Sequence, residues 1–181
     1  MNQSSLTLRD KLAQLMVVRV GSNLPPVRTV DQDARRVAEL LEAEALGGLL
    51  LFNGSWESTP AVIADLQAAS RYPLLVTSDL ERGAGQQLHG LPLFPHAMAF
   101  DAAGDEAEAL VEEFARLTSL AMRAAGVHVN YAPVADVHSE PRNPIIATRA
   151  FSTHPQRAAE LAAAFIRGTH AGGGLAATVG D

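Results

Sequence analysis

The chain has 181 residues, 48% of them hydrophobic and 19% charged, with a formal net charge of −6 and no cysteine. That length and apolar content suffice for one compact domain with a buried core and exclude a disordered tail. Scattered basic residues, never clustered with aromatics, exclude the footprint of a nucleic-acid binder, and the missing cysteines exclude disulfide and thiolate chemistry. The amino end, Met1 to Asp10, has no apolar core flanked by positive charge and a small-residue cleavage site, and no segment stays apolar for about 20 residues. A soluble cytoplasmic protein without a membrane partner is expected.

In chain order, short apolar runs rich in Val and Leu alternate with segments whose apolar residues recur at three and four, the βαβα pattern of a parallel sheet. Leu15 to Val18 reads as the first strand. A helix over Asp31 to Leu46 carries Ala34, Val37, Leu40, Leu41 and Ala45 on one face and stops at Gly47-Gly48. Gly48 to Phe52 is the second strand. Thr59 is the expected N-cap of the next helix, with Pro60 at its first position and Val62, Ile63, Leu66 and Ala69 as its buried stripe. Pro73 to Ser78 is the third strand. The helix after Gly104 presents Leu110, Phe114, Leu117 and Ala121 inward and ends at Gly126, ahead of a fourth strand over Val127 to Val134. Thr153 and Gln156 form a capping-box pattern opening a helix through Leu161 and Phe165, and Leu175 to Val179 is the fifth strand.

The run Pro73 to Gln87 holds the most chemistry. A strand buried on both faces has no use for Asp79 and Glu81, so both are expected at its exposed carboxyl end, where α/β enzymes keep their sites. The pair has two readings: a hold on sugar hydroxyls, or a tie for turn backbone and a neighbouring Arg. Gly83-Ala84-Gly85 lacks the third glycine and the Lys-Ser/Thr pair of a nucleotide loop, and that reading is rejected. Asp136 ends the fourth strand. Arg149 follows in an apolar loop, either as a fork for a polar substrate or as a structural tie to Asp136 or Asp79. His128 alternates with Val127 and Val129 and reads as a core or interface residue, and the other histidines lack metal-ligand spacing, so no metal or other cofactor is expected.

Taken together, Lys11 to Met16, Gly47 to Phe52, Asp79-Leu80-Glu81-Arg82-Gly83, Phe94-Pro95, Asn130 to Val137 and Asn143-Pro144 through Arg149-Ala150-Phe151 make the chain resemble the amino-terminal (β/α)8 barrel of glycoside hydrolase family 3. Its β-N-acetylhexosaminidase branch is the nearest. The resemblance runs from about Lys11 to the carboxyl end and implies one partial TIM-barrel-type domain over residues 1–181, with about five of the eight strands. It further implies a carbohydrate substrate, a retaining hydrolase acting on terminal β-N-acetylhexosaminides, Asp79 and Arg149 on the sugar next to the scissile bond, and Glu81 and Gly83 shaping that loop.

Departures from the pattern refine these expectations. Many members have two glycines where Arg82-Gly83 stands, and an Arg where this chain has Gln87, which is kept as a candidate substrate contact at that position. Gly180-Asp181 stand where the family continues into a Lys-His-Phe-Pro-Gly-His-Gly motif, or match the Gly-Asp just after it. The acid/base and nucleophile segments that retaining hydrolysis requires follow later in the family, so activity is expected of the complete protein. The alternative is a non-catalytic half-barrel that binds sugar or self-assembles through open sheet edges.

Overall fold

Two strand-pairing systems organise the computed structural model, which describes residues 6–180; Met1 to Ser5 of the amino-terminal segment read above, and Asp181, lie outside the described residues. The chain divides into two compact units, one of Met1–Ser78 with Gln87–Gly90 and one of Asp79–Gln86 with Leu91–Asp181.

In the first unit, α1 (Leu8–Ala13) opens on a capping box between Thr7 and Asp10. β1 spans Val17–Val20, two residues later than expected. The shift has a hydrogen-bonding cause: the N–H groups of Leu15 and Met16 donate to Leu12 and Ala13 carbonyls and extend the helical turn. α2 (Val30–Ala43) starts from a second capping box, Thr29 with Gln32, and buries Val30, Val37 and Leu41. It ends before the expected Leu46, because Gln14 Nε2 donates to the carbonyls of Ala45 and Leu46 at 2.7 and 3.0 Å and draws that segment out of the helix. β2 is Gly48–Leu51 and β3 is Gly54–Ser55. α3 (Thr59–Ala69) buries Ile63 and Leu66 as expected, but Ser58 is its N-cap residue and Thr59 accepts the Ser55 N–H at 2.9 Å instead. β4 covers Leu75–Ser78 and β5 Leu88–His89. β2 pairs in parallel with both β1 and β4, and β3 pairs in parallel with β5.

The second unit contains α4 (Met98–Asp101), α5 (Ala107–Ala124), β6 (Val129–Asn130), α6 (Pro155–Ala171) and β7 (Leu175–Ala176). β6 and β7 pair in parallel, and a single bridge joins Val134 to Val179. The fourth strand is much shorter than Val127 to Val134. Val127 spends its N–H on the Met122 carbonyl in closing α5, and Pro133 has no N–H to give.

α5 turns a different face inward from the one expected. Ala107, Val111, Phe114, Ala115, Thr118, Ser119 and Met122 are buried, while Leu110 and Leu117 are 46% and 43% exposed. Small residues let α6 come close, and Ser119 Oγ donates to the Thr169 carbonyl at 2.7 Å. Phe114 is the centre of the core, with ring centroids 4.8 Å from Phe94, 5.0 Å from Phe100 and 5.7 Å from Phe165. α6 begins at Pro155 without the expected capping box: His154 is the N-cap and Gln156 donates to Glu160 at 3.0 Å. Pro155 at the first turn sets the start on its own.

Candidate functional site

Asp79, Leu80 and Glu81 follow β4 directly, as its apolar run predicts. Leu80 is fully buried, and its peptide is held at both ends by the buried Asn130 side chain. The Leu80 N–H donates to Asn130 Oδ1 at 2.8 Å, and Asn130 Nδ2 donates back to the Leu80 carbonyl at 3.4 Å. With Leu80 fixed inward, the two half-buried acids on either side of it are set in direction.

The glycines beyond Glu81 serve packing. Gly83 has φ +90°, and a Cβ there would lie 2.6 Å from the Phe94 ring. Residues 91–94 fold back over this turn: the Phe94 N–H donates to the Arg82 carbonyl at 2.9 Å and Arg82 Nε returns a bond to the Phe94 carbonyl at 3.1 Å. A side chain at Gly83 would push the two segments apart.

Arg149 ends a short 3₁₀ turn, Ala147–Arg149. Asn143 Oδ1 shapes the approach by accepting the Ile145 N–H at 2.9 Å. Of the partners open to it in the sequence, Arg149 takes neither Asp136 nor Asp79 as its ion pair. Its Nε donates to Glu81 Oε2 at 3.0 Å and its Nη2 to Glu81 Oε1 at 2.8 Å, a two-point pair across 68 residues of chain. The Glu81 bonds hold the guanidinium above its ordinary pKa, with the Asp136 and Asp79 charges adding to the effect. Asp79, Glu81, Asp136 and Arg149 therefore share one electrostatic neighbourhood, with one cation among three acids. Such a group can accept several hydroxyl donors and offer a planar donor fork, which suits a polyhydroxylated ligand.

Gln87 belongs to the first unit, where it is 3% exposed. Its Oε1 accepts Asn23 Nδ2 at 2.8 Å and the Asn53 N–H at 3.2 Å. Asn53 and Asn130 are the residues that local pattern does not single out. The signal for both is a polar residue at the end of an apolar run, which burial obliges to find partners. His128 is half-buried, and burial pushes its pKa down, with the Arg123 charge adding. Among the described residues no group of three or more His, Asp or Glu side chains is arranged to hold a metal ion, and no helix is long and apolar enough to cross a membrane.

A beta-hexosaminidase from Pseudomonas aeruginosa is 39% identical over 144 residues, covering 77% of this chain and 42% of that protein. Another from Idiomarina loihiensis is 31% identical over 168 residues, covering 90% of this chain and 48% of its own length. The chain thus spans about half the length of these curated relatives or less. A solved glycoside hydrolase family 3 beta-N-acetylglucosaminidase from a Paenibacillus species matches with a TM-score of 0.82 at 27% identity, over 97% of this chain and 33% of that one. The expected α/β barrel-type class is therefore the fold found. Residues 7–180 match the glycosyl hydrolase family 3 N terminal domain, and the chain belongs to that family.

Proposed function

We propose that the chain is the sugar-holding front portion of a retaining glycoside hydrolase acting on terminal β-N-acetylhexosaminides. The observation that carries the reading is the two-point pair of Arg149 with Glu81 and the charge of Asp79 acting on the same guanidinium, in a chain of this family. Relatives named beta-hexosaminidase and beta-N-acetylglucosaminidase support the choice of sugar.

In this reading Asp79 accepts hydrogen bonds from ring hydroxyls and Arg149 donates to the same sugar, both charge-assisted and so stronger than neutral pairs. Retaining hydrolysis needs a nucleophile and an acid/base on opposite sides of the glycosidic bond, and we assign neither role to residues 1–181. Bond breaking belongs to the complete protein.

Titration of the labelled 181-residue chain with N-acetylglucosamine tests the binding half: Asp79→Asn is expected to weaken binding about tenfold, ~1.4 kcal/mol. Hydrolysis of a fluorogenic N-acetyl-β-glucosaminide by the same chain tests the other half. No turnover is expected. Turnover abolished by Asp79→Ala would overturn this division of labour.

A second reading, self-assembly, has its own support in the first unit: Leu12, Leu15 and Met16, ahead of the outer strand β1, and Val17, its first residue, are 57%, 81%, 56% and 43% exposed. Sedimentation decides it, since a monomer at all concentrations removes the reading.

A further inference from the structure

We propose that Glu81 is a positioning residue, which takes one edge of the Arg149 guanidinium and thereby aims the remaining N–H groups at the sugar. The proposal rests on the reading that Arg149 contacts the sugar and goes beyond it by giving Glu81 a task distinct from that of Asp79.

A guanidinium has five N–H groups in a fixed plane. The Nε and Nη2 edge of Arg149 is taken by the two oxygens of Glu81, at 3.0 and 2.8 Å, and Nη1 donates to the Ile145 carbonyl at 3.2 Å. Two bonds to one carboxylate fix the plane of the fork, and the third fixes its height above the turn. One N–H on Nη1 and one on Nη2 lie beyond these bonds, on a side chain that is still 36% exposed. Those are the groups that meet a ligand.

Glu81 is suited to hold and poorly suited to bind. Both its oxygens accept from Arg149, and its side chain is only 17% exposed. It is also itself held, because the residue before it is Leu80, whose peptide is clamped by Asn130. The constraint passes from the Asn130 amide to the Leu80 peptide, to the Glu81 carboxylate and to the Arg149 fork. A long cationic side chain on a loop would otherwise lose its rotamer freedom only when the sugar arrives, which weakens binding; Glu81 removes that freedom beforehand. Lysine cannot replace the fork, since a point charge has no plane to orient.

The test is an NMR experiment on the 181-residue chain with two readouts, the Arg149 Nε–H resonance, assigned by its loss in Arg149→Lys, and titration with N-acetylglucosamine. In the wild-type chain the Nε proton is expected to exchange slowly with water, because it is held by Glu81. Glu81→Gln is expected to speed that exchange at least tenfold and to weaken sugar binding about tenfold, with the thermal midpoint little changed. Asp79→Asn is expected to weaken binding while leaving the Arg149 resonance in place, a separation that a merely structural role for Glu81 would not produce. Unchanged binding in Glu81→Gln, or an unchanged Nε resonance, overturns the positioning role while the sugar site stands. A wild-type chain that shows no sugar-induced shift overturns the site reading and the positioning role with it. Should Glu81→Gln fail to fold, Glu81→Asp carries the decision, since it keeps the charge but withdraws the carboxylate from the fork: faster Nε exchange with a several-fold loss of affinity supports the positioning role, and unchanged affinity refutes it.

Discussion

Two strand-end loops of this molecule solve the same problem with different materials. After β2, Asn53 sits in the left-handed region at φ 53°, where a non-glycine residue needs external support. Neutral groups supply it. The Asn53 N–H donates to Gln87, its Nδ2 donates to the Arg28 carbonyl at 3.1 Å and to that of Ser22 at 3.4 Å, its Oδ1 lies 3.1 Å from His89 Nε2, and its carbonyl accepts the Val30 N–H. Because Nδ2 is the donor there, Oδ1 is left to accept from the His89 ring. After β4, the neutral clamp of Asn130 on Leu80 is followed at once by the charged pair of Glu81 and Arg149. The first loop is saturated and its geometry is its purpose. The second keeps charge near the surface, where a ligand can exchange for water at little cost to the fold.

The comparison breaks most severely at Gly21, which has φ +76° and stands where a Cβ would lie 1.9 Å from the Phe52 carbonyl oxygen. Gly21→Ala is expected to cost more than about 3 kcal/mol in urea denaturation, through clash and backbone strain together. Next, Asn130→Ala leaves the buried Leu80 N–H and carbonyl without their side-chain partner, for a loss of about 2–4 kcal/mol. Sugar affinity should fall with it, although Asn130 itself is buried; unchanged affinity would show that the clamp does not set Asp79 and Glu81. Gln87→Leu removes the acceptor shared by Asn23 and Asn53 and should cost about 1–2 kcal/mol in urea denaturation. Unchanged stability would show that the Gln87 amide does not hold the first loop.

The smallest effect is a pH dependence in the first unit. Asp33 accepts from Arg36 and from the Gly21 N–H, and these partners, Arg36 foremost, hold its carboxyl below the usual carboxylate range. Its folded pKa being depressed, the unfolded chain binds the proton first. The contribution to stability is full above pH ~4 and is lost as pH falls from there through the lowered folded value. Urea melts between pH 5 and 2 should show this slope, and Asp33→Asn should flatten it; an unchanged slope assigns the acid sensitivity to other carboxylates.

Much of this arrangement is legible from the residues alone. The strand preceding Asp79 is buried from Val76 to Ser78 and tolerates only hydroxyls that donate to the neighbouring strand, so its carboxylates had to lie beyond its end, and there they lie. Gly126 does close α5, with φ +83°. What periodicity misreads is the α5 face: the exposed Leu110 and Leu117 mimic an inner stripe around the buried Phe114, while the side toward α6 uses Ala115 and Ser119, small residues that let Gly168 and Gly172 come close. Caps fail for a related reason, since Thr59 and Gln156 each had a second partner within reach, Ser55 and Glu160. The Arg149 pairing depends on a contact 68 residues distant, and no local pattern separates Glu81 from Asp79 or Asp136 as its partner.

The path of the chain has an evolutionary consequence. It passes between its two compact units three times, after Ser78, after Gln86 and after Gly90. No single crossover between homologous genes leaves both units of one parentage, because a break before Gln87 mixes the first unit and a break after Gly90 mixes the second. Residues 87–90 are expected to co-vary with the β3 segment, because Leu88 and His89 pair with Gly54 and Ser55. Designed chimeras of the family keep both units pure only if that short piece is exchanged together with the segment ending at Ser78.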